Sequence, residues 1–185
     1  MEIIKYGNPI LRKKAKSINK IDKSIRDLIV AMFDTMHNAN PKGIGLSAPQ
    51  IGLPIQLIVI ETEPNKQLSL INPEIIENRG RDKALEGCLS IPGVWGNVTR
   101  AKKIKVKGIN PNTSKKIIIE AEGILARAIQ HEVDHLNGIL FTDYIERVED
   151  LYVDEGFTIP EKLRQYYKLR KWLMLFSLVQ ILFLY

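Results

Sequence analysis

His131, Glu132 and His135 are the residues of this sequence whose types and spacing most plainly suit chemistry. Two histidines four apart on a helix stand one turn above the other on one face, so two imidazole nitrogens can reach one metal ion. Glu132 projects about 100° round the axis from His131. It can stand beside a metal without binding it, where a general base for an activated water is needed. The sequence has three histidines, and two fall in this motif. That favours a metal over two incidental core histidines. His37 has no other ligand type near it and reads as a surface or helix-end residue. A catalytic metal takes three protein ligands and keeps one position open. The third could be a downstream carboxylate, such as Glu146, which stands four before Asp150, or it could be Cys88 upstream. A thiolate binds zinc or iron(II) strongly, whereas a lone buried cysteine is more often a small apolar filler. Spacing alone leaves both open.

The elements that must position these groups follow from periodicity. Glu122–Leu136 reads as a helix with Ile124, Ala128, His131 and His135 along one stripe. Leu125, Ile129, Val133 and Leu136 make other faces apolar too, which predicts a buried helix. Asn137-Gly138 predicts a left-handed end. A first helix is expected from Asp22 to Ala39, capped by Asp22 or Ser24, with Ile25, Leu28, Ile29, Met32 and Met36 inward. Residues 1–20 read as an extended arm whose basic run Leu11–Lys16 is a solvated surface. Pro41–Gln50 reads as a loop in which Gly43 and Gly45 let the backbone approach something closely. Strands are expected at Gln56–Glu61, Leu68–Ile71, Ile75–Glu77, Ile104–Lys107 and Ile117–Ile119, with turns at Asn72-Pro73 and Asn110–Asn112. Strands precede the central helix in bulk, which predicts an α+β fold of mainly antiparallel sheet around that helix.

Composition narrows the class further. The length suits one domain with a real core. A net charge of +6 favours anionic surfaces such as ribosomal RNA or acidic lipid, but no nucleic-acid-binding module is visible. One cysteine excludes an internal disulfide. The N-terminus lacks a basic segment followed by an apolar one, so no signal peptide is read, and a cytoplasmic location, or its matrix or stroma equivalent in an organelle, is expected.

Three stretches together resemble the peptide deformylase family. They are Gly43–Gln50, Glu86-Gly87-Cys88-Leu89-Ser90 and Gln130–Gly138, in that order. Each motif alone is weak to moderate; the combination is highly specific and spans roughly residues 1–150. One departure is Ser47, where alanine is usual; little effect is expected of it. The resemblance implies removal of the formyl group from formyl-methionyl nascent chains, releasing formate. It implies one divalent metal held by Cys88, His131 and His135, iron(II) in the cell, with zinc, nickel or cobalt able to substitute. It implies Glu132 as the general base, and the Gln50 side chain and Leu89 N–H as oxyanion donors. It implies substrate binding at Gly45 and Ile44. Glu86 and Gln130 are expected either to orient ligands or simply to hold structure. Asp134 and Arg127 read as a polar stripe. Two rivals are an endopeptidase with a carboxylate as third ligand and a structural metal site in an interaction protein.

The catalytic domain is expected over residues 1–171, followed by an apolar tail over 172–185. Glu161–Lys171 reads as a charged amphipathic helix. Trp172–Tyr185 is nearly all apolar, yet as a helix it would reach only about 21 Å, short of the roughly 30 Å of a bilayer. Docking on this chain or on a second copy is favoured over membrane association. Ribosome association is left open.

Overall fold

The computed structural model describes residues 1–154. The expected helix at Glu161–Lys171 and the tail over 172–185 lie outside the described residues. The α+β expectation holds, with two antiparallel sheets and two helices. The larger sheet has the order β1-β2-β3-β6-β7, made of Gly45–Ser47, Leu57–Ile60, Leu68–Arg79, Lys103–Ile109 and Lys116–Glu122. The smaller has the order β4-β5-β8, made of Asp82–Cys88, Ile91–Arg100 and Leu151–Val153.

The larger sheet is covered on both faces, and β2 shows why. Its four residues are all fully buried. Side chains alternate across a strand, so Ile58 and Ile60 pack into the cluster of helix α2 (Gly123–Leu136), with Ala126, Ile129 and Leu136. Leu57 and Val59 face the other way, against Met32, Phe33 and Met36 of helix α1 (Lys23–His37). A two-sided strand of this kind needs a continuous apolar run. A third cluster joins Ile91, Val94 and Val98 of β5 to Leu11, Phe141 and Ile145.

Helix α1 starts where its cap predicts: Asp22 accepts hydrogen bonds from the Ser24 and Ile25 N–H groups. It ends at His37, two residues before the expected Ala39. Helix α2 ends in a Schellman geometry. Ile139 N–H donates to Asp134 O at 3.0 Å and Gly138 N–H to His135 O at 3.2 Å, with Gly138 at φ +74°. Gly138 is needed twice over, since a Cβ there would lie 2.5 Å from Arg12 O. The arm is largely extended as expected, with one 3₁₀ turn at Pro9–Arg12. Its lysines are exposed, while Leu11 and Ala15 anchor it in the core.

Pro41–Gln50, expected as a loop, instead holds strand β1 and a 3₁₀ turn over Ala48–Ile51. Two further expectations are corrected. Leu68–Ile71 and Ile75–Glu77 are one continuous strand, β3, running through Asn72-Pro73. The dipeptide makes a bulge and not a turn: the register to β6 shifts between Ile71 and Glu74, and Asn72 sits at φ +51°. The Asn72 amide then pins the arm, accepting from Ile18 N–H at 2.8 Å and donating to Ile18 O at 2.9 Å. The second correction is Ile124, which is 57% exposed and not buried with the stripe below it. The first turn of α2 reaches the rim of the cleft described next.

Candidate active site

Between the sheets lies a cleft of about 760 Å³. Ile44, Gly45, Gln50, Cys88, Leu89, His131 and Glu132 all line it, and His135 lies behind them at 1% exposure. Four separate elements bring these residues together. Helix α2 supplies both histidines and Glu132 on its buried face. Cys88 ends β4, and Leu89 follows it in the tight turn to β5. Gly45 opens β1, and Gln50 lies in the 3₁₀ turn Ala48–Ile51.

The Cys88 Sγ and one ring nitrogen of each of His131 and His135 lie within 4.8 Å of one another. Cys88 Sγ is 3.3 Å from His135 Nε2. One thiol and two imidazoles suit zinc and iron(II) alike, so the donor set fits a divalent metal. Of the downstream carboxylates, Asp150 pairs with Lys83 at 2.6 Å and Glu146 is exposed. Among the described residues, the donors that converge are therefore the cysteine and the two histidines.

Glu132 is 4% exposed, and its Oε2 has no hydrogen-bond partner among the described residues. Burial pushes its carboxyl from the ordinary 4.5 up to about 7, only partly offset by His131 and Ser47. A carboxyl poised there can exchange a proton near neutral pH. Gly45 makes room for it: a Cβ on Gly45 would lie 2.5 Å from Glu132 Oε1. The close approach expected of this glycine is real, and its partner is the glutamate. Gly43 is tight as well, since a Cβ there would meet Leu89 Cδ1 at 2.7 Å.

A buried charge network backs the first histidine. Glu86 Oε2 lies 3.0 Å from His131 Nδ1, which fixes the ring and turns Nε2 toward the donor cluster. Arg100 holds both Glu86 oxygens, at 2.7 and 2.9 Å, and reaches Asp134 at 2.6 Å. Arg127 adds bonds to Glu86 Oε1 at 2.7 Å, Val98 O at 2.9 Å and Asp82 at 3.0 Å. Burial alone would raise the Glu86 carboxyl, but its bonds to His131 and Arg100 outweigh that and hold it at about 2. Burial and the charge of His131 hold His135 well below its ordinary value, so it stays neutral with a lone pair to give.

The two readings left open by sequence thus separate. Glu86 orients a histidine, whereas Gln130 ties α2 to Ala101, with a further bond to Ala126 O inside the helix, and does not reach the cluster. Asp134 and Arg127 are network members and not a solvated stripe. Arg100 escaped sequence reasoning altogether. It lies at the end of β5, far in sequence from both partners, and no local pattern marks it. His37 stays outside the site and bonds Glu61 at 2.9 Å.

Comparison with known proteins agrees with this geometry. The polypeptide deformylase family model matches residues 1–150. The peptide deformylase of Halothermothrix orenii is 51% identical over 149 residues, covering 80% of this chain and 95% of its own. That of Carboxydothermus hydrogenoformans is 50% identical over 147 residues, covering 80% and 94%. Among solved structures, a peptide deformylase from Synechococcus elongatus in complex with actinonin superimposes with a TM-score of 0.77 at 42% identity, over 80% of this chain and 82% of that one. The Thermotoga maritima peptide deformylase gives 0.74 at 40% identity, over 79% and 97%. With half of the aligned residues shared along nearly the whole length of such relatives, this chain belongs to the polypeptide deformylase family.

Proposed function

We propose that this chain hydrolyses the N-terminal formamide of formyl-methionyl nascent peptides, releasing formate and a free amine. The observation that carries the reading is the convergence of Cys88, His131 and His135 beside a buried, partnerless Glu132 oxygen. Members of this family depend on a metal. Cys88 Sγ and one nitrogen each of His131 and His135 would hold it, iron(II) in the cell, with zinc, nickel or cobalt able to substitute. Bound there, a divalent ion supplies Lewis acidity and lowers the pKa of water.

The chain's own residues do the rest. Glu132 takes the proton of the attacking water on a carboxylate oxygen and returns it to the departing amine nitrogen. Gln50 Nε2 and Leu89 N–H donate to the formyl oxygen as it gains charge; one such donor is worth about 3 kcal/mol. Gly45 and Ile44 line the cleft where the peptide backbone and methionine side chain bind. Glu86 and Arg100 keep His131 in one tautomer and one orientation. No helix among the described residues is long and apolar enough to cross a membrane. The proposed site of action is the cytoplasm, where formylated chains emerge, with ribosome association a further proposal.

The test is formate release from a formyl-Met-peptide by protein purified anaerobically, with its metal content measured. Stoichiometric metal with turnover supports the reading. Metal-loaded protein that cleaves internal peptide bonds but releases no formate would overturn it in favour of an endopeptidase.

A further inference from the structure

Gln50 is held at both ends by buried serines. The Ser47 backbone N–H and the Ser47 hydroxyl both donate to Gln50 Oε1, each at 2.9 Å. A backbone N–H can only donate, so the amide oxygen must face Ser47 and the NH₂ must point away from it. On that far side Nε2 donates to Ser90 Oγ at 3.3 Å and lies 3.5 Å from Cys88 Sγ. Ser47 and Ser90 are fully buried, and Gln50 is 1% exposed. An amide nitrogen carries two protons. One is taken up by Ser90 and the other by Cys88 Sγ, which keeps the NH₂ at the edge of the donor cluster. The serines come from different elements, Ser47 from the end of β1 and Ser90 from the turn between β4 and β5.

We propose that Ser47 and Ser90 are positioning residues that clamp the Gln50 amide, holding its NH₂ beside Cys88, where the formyl oxygen gains charge, before substrate arrives. The proposal rests on the oxyanion role given to Gln50 above. A donor already aimed needs no reorganisation during reaction, which is what makes such groups effective. The hydroxyl of Ser47 adds a second bond to the one its backbone makes. Alanine, usual there in the family it resembles, would keep the backbone N–H bond and lose the second one. Ser90 acts through Gln50; Ser47 acts through Gln50 and also bonds the Glu132 carboxyl.

The experiment is steady-state formate release from formyl-Met-peptide by Ser47→Ala and Ser90→Ala. Each is made alone and in a Gln50→Ala background, with bound metal measured throughout. Each single variant is expected to lower kcat about threefold to tenfold, the worth of one neutral hydrogen bond. KM stays within about twofold and metal stays stoichiometric. In the Gln50→Ala background Ser90→Ala becomes silent, since there is no amide left to aim, and Ser47→Ala keeps only the smaller loss that its bond to Glu132 contributes. Unchanged kcat in both single variants overturns the clamp, as does an equal loss with Gln50 already removed. Loss of metal in either variant would make the serine part of the metal site's framework and overturn it too. A Gln50→Ala variant with normal kcat would overturn the role of Gln50 and the clamp together, which separates that failure from failure of the clamp alone.

Discussion

Helix α2 and the β4–β5 hairpin contribute to the same cluster by opposite routes. The helix places His131, Glu132 and His135 by local geometry alone: one turn fixes their relation, whatever surrounds them. The hairpin places Cys88, Leu89 and Glu86 only if its strands pair in one register and dock on the helix. That register shifts between Gly87, opposite Trp95, and Cys88, opposite Ile91, and Gly87 lies where a Cβ would meet Trp95 at 2.7 Å. A site built from one local and one distant source is specified twice, and each half can be broken while the other stays folded.

The sharpest break removes a donor from either half. Cys88→Ala, His131→Ala and His135→Ala should each lose most bound metal and all measurable turnover. Metal analysis beside a formate assay checks this. Stoichiometric metal in Cys88→Ala would mean that the hairpin contributes no ligand and that the helix works with a different partner.

Glu132→Ala sharpens the contrast inside the helix. It should keep metal and fold but lose kcat by orders of magnitude, because the carboxylate acts only in the reaction. Near-normal kcat would sink the proposed proton transfer.

Gly45→Ala attacks the same carboxylate from outside the helix. A Cβ 2.5 Å from Oε1 must displace it. A displacement of about 1 Å can cost on the order of a hundredfold in kcat. Unchanged kcat would show that Glu132 has room to move and is not held by β1.

How much of this was legible in the sequence follows the same division. The helix and its motif could be read because their spacing is periodic and local. Leu57–Ile60 could be read as a buried strand because its apolar run is continuous. The hairpin could not be read as strands. Pro92 and Gly93 lie near the start of β5, and residues 82–88 carry charge, small side chains and glycine instead of alternation. Chemistry alone could raise Cys88 as one of two candidates for the third ligand; the choice of Cys88 and the role of Leu89 came only through resemblance to a family motif. Arg100 was missed for a physical reason. It is buried because Glu86 and Asp134 surround it, and that pairing exists only after hairpin and helix have met.

The network joining the halves gives a milder, pH-dependent break. The Glu86 carboxyl is held at about 2 against an ordinary 4.5. A depressed carboxyl stabilises the fold fully above the ordinary value, and that contribution is lost as pH falls from 4.5 toward 2. Glu86→Gln should lower stability at neutral pH by about 3 kcal/mol, since it leaves the buried Arg100 charge with Asp134 alone and takes a carboxylate from Arg127. It should also flatten the acid side of the stability profile in urea melts. An acid limb as steep as the wild type's would assign that loss to other carboxylates.

The smallest expected effect lies outside both halves. Truncation after Lys171 should leave metal content and turnover within a few-fold and raise the amount of protein recovered in solution. A truncated protein that is folded but catalytically dead would make residues 172–185 part of the site, and the proposed division into a domain over 1–171 and a separate tail would fail.

The joint between the arm and the end of α2 bears on the order in which the molecule can assemble. Ala15 N–H donates to Leu136 O, and Arg12 reaches Gly138 O across 126 residues. During synthesis the arm leaves the ribosome first, but these two partners are made only after β1–β7. At roughly 5–20 residues per second, that is a wait of about ten seconds. Contacts so distant in sequence also form slowly. The last turn of α2, which carries His135, therefore closes the structure. A growing chain that stops short of residue 138 has every strand of the larger sheet and no finished place for a metal.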